Sequence, residues 1–139
     1  MNKLDRIVVG TIRATGGFQV LVGLLFWFGW TLALIPVHML VGALFVLALL
    51  LLAARGLRFR TSRGLAALTA GWSVLVLAFG MAQAQILPGS HHWIVRTLHL
   101  AFGIAAMGIA DALRRRMAVA GATRRVAVPA GLGASPRAE

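Results

Sequence analysis

The chain contains no cysteine, which excludes disulfides, thiolate metal sites and cysteine nucleophiles together. Acids are nearly missing too: they are Asp5, Asp111 and Glu139. Paired-carboxylate catalysis is therefore unavailable within one chain, and nothing in the composition asks for an enzyme. Charged residues of both signs make up only 12% of the 139 residues, against 60% hydrophobic. A soluble domain needs a polar face on every element, and this composition is too poor in polar side chains to supply one.

What is present comes in long apolar blocks. About 20 apolar residues in a helix cross a ~30 Å hydrocarbon core, and residues 16–34, 36–54, 64–87 and 93–113 each qualify. The blocks are continuous rather than alternating, so they read as helices and not as barrel strands. The expected fold is all-α: an integral membrane four-helix bundle, up-down-up-down because its connections are short. The basic segment 1–15 precedes it. Residues 117–139 are rich in Ala, Gly, Pro and Arg, show no helical period, and read as a flexible basic tail. The first apolar block is long enough to span and lacks a small-x-small cleavage site, so it reads as a retained helix rather than a signal peptide.

The excess of Lys and Arg, net +11, is read as membrane orientation and contact with anionic lipid, not as nucleic-acid binding. Lys3, Arg6 and Arg13 precede the first block. Arg55, Arg58, Arg60 and Arg63 separate the second from the third. Arg114, Arg115 and Arg116 close the fourth, and Arg124 and Arg125 follow. All three groups fall on one side, which predicts both termini in the cytoplasm and, for an Arg-rich composition, a bacterial inner membrane. Trp30 and Trp93 fall where an aromatic belt would lie on the opposite side. Asp111 is placed to pair with Arg114 and Arg115 one turn on.

The two halves of the chain look alike. Residues 36–42, with His38 and Gly42, align with residues 97–103, with His99 and Gly103. A glutamine helix precedes each: Gln19 in the first half, Gln83 and Gln85 in the second. His38 lies 17 residues before Arg55, and His99 lies 15 before Arg114. At ~1.5 Å per residue both sit roughly 22–25 Å above the arginine boundary. They belong to helices two and four, which run parallel on a diagonal of a simple bundle. Two imidazoles at one level across such a core can supply the axial ligands of a haem iron. Gly42 and Gly103, one turn along each helix, would let a flat macrocycle approach the backbone. Arg96, one turn outward of His99, is placed to pair with a propionate. The plain alternatives stand beside these readings. An interfacial His is often only hydrogen-bonded, a transmembrane Gly often only packs helices, and Arg96 can simply snorkel. His91 and His92 read as ordinary interfacial residues, with no carboxylate or cysteine to complete a metal site.

Residues 18–23, Phe-Gln-Val-Leu-Val-Gly, followed by Val37-His38-Met39, resemble the glutamine-helix and histidine-helix pair of the haem A synthase family. Gly80-Met81-Ala82-Gln83 through Leu98-His99-Leu100 looks like a looser copy. That family has two four-helix halves, each with histidines on its second and fourth helices, and this chain has the length of one half. The resemblance implies a b-type haem held by His38 and His99 near the outer face. It does not carry over haem oxidation, because residues 34–37 hold no acid where the family's oxidising site has a Glu before its first His. Electron exchange with quinol or a redox membrane partner, or haem handling, is the expected function. The competing expectation is a haem-free accessory or scaffold subunit that packs its glycine tracks against a larger complex. A small transporter is a weaker third, since few polar residues line any path.

Overall fold

The computed structural model describes residues 3–29 and 32–126; Trp30, the end of the basic tail and Glu139 lie outside them. It is all-helical. Helix α1 spans Lys3–Trp27, α2 Ile35–Gly56, α3 Arg63–Ala82 and α4 His92–Val126. Short 3₁₀ turns at Leu32–Leu34, Arg60–Ser62 and Gln83–Gln85 lead into α2, lead into α3 and end α3. All four helices are long and apolar enough to cross a membrane, which makes this a multi-pass membrane protein. Each helix packs against the next, α4 returns to α1, and α2 meets α4 across the diagonal.

The helix boundaries depart from the apolar blocks for physical reasons. α1 begins at Lys3, not at residue 16, because charge ends a membrane span without ending a helix. Asp5, Val8, Ile12 and Thr15 recur three or four residues apart and are all buried, one continuous stripe facing the bundle. α1 also stops at Trp27, short of residue 34. Gly29 follows with φ +74° and donates its N–H to the Phe26 carbonyl at 3.0 Å, a left-handed stop that glycine adopts without a Cβ clash. Pro36 then occupies the first turn of α2, where its missing N–H costs no hydrogen bond. α3 ends at Ala82 rather than 87. Its last turn tightens to 3₁₀, and Leu87, just before Pro88, takes φ 47°, outside the right-handed helix that proline disfavours in the residue before it. α4 runs to Val126, so residues 117–126 are helical and not a flexible tail. Ala and Arg are good helix formers, and Met117 is buried in the core.

Packing is concentrated at the arginine-rich end. Leu49, Leu52, Ala66, Ala110 and Leu113 form its centre. Gly56 lets α2, α3 and α4 converge there: a Cβ on it would lie 2.8 Å from Leu113 Cδ1 and 3.0 Å from Ala66 Cβ. Charge closes the same end. Arg55 donates to Asp5, joining the end of α2 to the start of α1 with both side chains largely shielded. Asp111 accepts from Arg13 of α1 at 3.2 Å, from Arg114 at 2.9 Å and from Arg115 at 2.8 Å. The opposite half is far looser. Across residues 17–44 and 77–105, the only buried side chains among those described are Val22 and Val95.

Candidate functional site: a histidine pair in the loosely packed half

His38 stands in the first turn of α2 and His99 in the second turn of α4. Their imidazole centroids are 6.4 Å apart, with the rings inclined at 58°. Both are half-buried. Phe26 of α1 meets His38 edge-on at 5.3 Å, and Phe79 of α3 lies nearly parallel to His99 at 6.1 Å, 17° apart. Thus α2 and α4 carry the imidazoles, while α1 and α3 each supply an aromatic wall.

Phe79 is itself braced. It meets Phe102 of α4 at 5.2 Å, and Phe102 meets Trp72 at 5.5 Å, both edge to face. The Trp72 indole N–H donates to the Phe102 carbonyl at 3.0 Å. That carbonyl's second lone pair is available beyond the helix ladder, so the bond links α3 to α4 without breaking either helix. Each aromatic contact adds about 0.5–1.5 kcal/mol beyond burial. Together they hold Phe79, and through it the His99 ring, on a rigid seam.

Buried polar atoms are nearly always hydrogen-bonded, so unpartnered ones point to a site. Among the described residues, four buried side-chain N or O atoms lack a partner: Nδ1 of His38, Nδ1 of His99, Oε1 of Gln19 and Oγ of Ser62. Ser62 is at the arginine-rich end, but the other three gather here. The Gln19 amide nitrogen lies 2.6 Å from where a Gly42 Cβ would be, one turn along α2 from His38. A side chain at position 42 would therefore displace Gln19.

The glycine that receives an imidazole is Gly80, whose Cβ would sit 2.8 Å from His99 Cε1. Gly103 faces open space, with nothing within 4 Å of a Cβ. Gly80 enters the sequence reading only as the start of the looser copy, and Phe79 not at all; the helix packing is what puts both beside His99. Arg96 is exposed toward the end of the bundle remote from the arginines. His91 stays in the connecting turn and His92 opens α4; His91 Nδ1 pairs with Ser90 Oγ at 3.3 Å and His92 Nδ1 with the Ile86 carbonyl at 3.3 Å.

The donor set discriminates between metals. A nitrogen-bound ion at about 2.0–2.1 Å leaves two imidazole centres sharing it roughly 6 Å apart, close to the separation seen here. A free ion also wants three or four protein ligands, and among the described residues no three His, Asp or Glu side chains converge. A haem iron brings four ring nitrogens of its own and asks the protein for one or two. The pair at this separation and the thinly packed half around it fit that group. Comparison with protein-family models, with curated proteins and with solved structures gave no match, so the reading of this site stands on its residues.

Proposed function

We propose that this chain is a small b-type haem protein of a bacterial inner membrane, with one haem held by His38 and His99 near the outer face. In this reading both termini are cytoplasmic and the bundle is a duplicated helix pair, as the arginine distribution and the aligned histidine segments support. The observation that carries the proposal is the 6.4 Å separation of the two imidazoles. When bound, the haem would supply one-electron chemistry, for exchange with quinol or a redox partner in the membrane.

The chain's own residues orient and shield. Phe79 and Gly80 fix the His99 ring, Phe26 bears on His38, and Gln19 offers an unused amide oxygen one turn below. Arg96 is within one turn of His99 on α4 and free to meet a propionate at the membrane surface. The first test is spectroscopic. Protein purified in detergent from haem-replete cells is expected to show a Soret band that shifts on dithionite reduction. A colourless preparation that co-purifies with a stable partner would favour the haem-free accessory subunit instead.

A second test separates site from scaffold. In Gly80→Ala the new methyl meets His99 Cε1 and turns the ring, while alanine favours the helix by about 1 kcal/mol. The expected result is a displaced Soret maximum at unchanged or raised melting temperature. Identical spectra for the variant and the parent would remove Gly80 from the site.

A further inference from the structure

The arginine-rich end holds a feature that the haem proposal does not use. Between α1 and α4 lies a small open crevice, walled by Val9, Ile12 and Met107 and rimmed by Arg13, Asp111 and Arg114. Three guanidinium groups, from Arg13, Arg114 and Arg115, converge on the single Asp111 carboxylate. Three positive charges against one negative leave a surplus of two in the cluster; Arg13 and Arg114 line the crevice and Arg115 adjoins it through Asp111. Arg13 and Arg115 are 67% and 74% exposed, and a guanidinium has five N–H donors, so most of theirs point away from Asp111.

We infer that this crevice binds one anionic phospholipid of the adjacent leaflet, its phosphate on Arg13 and Arg115 and an acyl chain against Val9, Ile12 and Met107. Charge complementarity selects the occupant: an apolar slot alone accepts any acyl chain, but the doubly positive cluster beside it favours a headgroup with net negative charge. Asp111 acts as the post that holds the three arginines in one cluster rather than as a competitor, since it satisfies only part of their donors. The site is independent of the histidine pair, which lies in the other half of the bundle.

The experiment uses the full chain in detergent with added phosphatidylglycerol or phosphatidylcholine, read by native mass spectrometry and by melting temperature. One phosphatidylglycerol is expected to stay bound and to raise the melting temperature, with phosphatidylcholine doing neither. Each arginine that meets the headgroup directly is worth about fivefold in binding. The double variant Arg13→Gln, Arg115→Gln is therefore expected to lose about twenty-five-fold, whereas Arg58→Gln, Arg60→Gln, equal in charge but in the α2–α3 connection, should lose less than about twofold. Equal losses in both would replace a site with diffuse attraction and overturn the inference. So would equal binding of the two lipids, or displacement of phosphatidylglycerol by millimolar inorganic phosphate, which would make the ligand a free anion.

Discussion

Haem occupancy is expected to fall at least about tenfold in His38→Ala and in His99→Ala. Loss of groups that merely orient a metal ligand costs 10–100-fold, and loss of the ligand itself should cost no less. The two variants should also differ. His99 is stacked on Phe79 and nested at Gly80, so it is the more rigidly presented ligand, whereas His38 is met only edge-on by Phe26 at 5.3 Å. Any residual haem should therefore be found in His38→Ala, held through His99 as a five-coordinate, high-spin species. In His38→Gly the vacated space is large enough for free imidazole, and adding it should restore the low-spin spectrum of the parent. His91→Ala, in the exposed turn, is expected to leave the spectrum unchanged. Full retention of the low-spin band in both alanine variants would assign the ligands elsewhere and end the proposal.

How much of this was legible in the sequence depends on which force decides each feature. The four spans were legible because burial in hydrocarbon is written as unbroken apolar length. Where those spans stop being helical was not, since charges at α1 and α4 end a membrane crossing but leave the hydrogen-bond ladder intact. Asp5 and Arg13 lie on helix, and so do Arg114 to Arg116. The juxtaposition of His38 and His99 was readable from their similar distances to the arginines, 17 and 15 residues, because helical rise converts residue count into height. The surroundings of the pair were not. Gly80 and Phe79 reach His99 through the rotation of α3 about its own axis, and rotation is set by which small residues touch. Gly42 and Gly103 look equivalent in the aligned segments, yet one holds the Gln19 amide and the other faces open space. The resemblance to half of the haem A synthase family bears on the ligand pair only, and it says nothing of the arginine cluster on Asp111.

The second large effect is expected far from the histidines. Gly56→Leu should destabilise the bundle by about 3 kcal/mol or more, at the upper end of what overpacking costs. The reason is geometric. A Cβ at position 56 meets both Leu113 Cδ1 at 2.8 Å and Ala66 Cβ at 3.0 Å. Leu113 can yield by changing rotamer, but the Ala66 methyl is fixed to the α3 backbone, so α3 itself must move. Gly71→Leu is the matched control: it adds the same side chain on α3 at an exposed position with nothing within 4 Å, and leucine is the better helix former. Its melting temperature in detergent should equal or exceed that of the parent. A Gly56→Leu protein that melts with the parent would show that the three helices do not converge as tightly as described. The consequence for function follows from where the packing is. Residues 17–44 and 77–105 contribute few buried side chains, so the separation of His38 and His99 depends on how α2 and α4 are clamped at the other end as well as on the seam of Phe79, Phe102 and Trp72. Gly56→Leu is therefore expected to lower haem affinity as well as stability, although position 56 is 18 residues, or roughly 27 Å of helix, from His38.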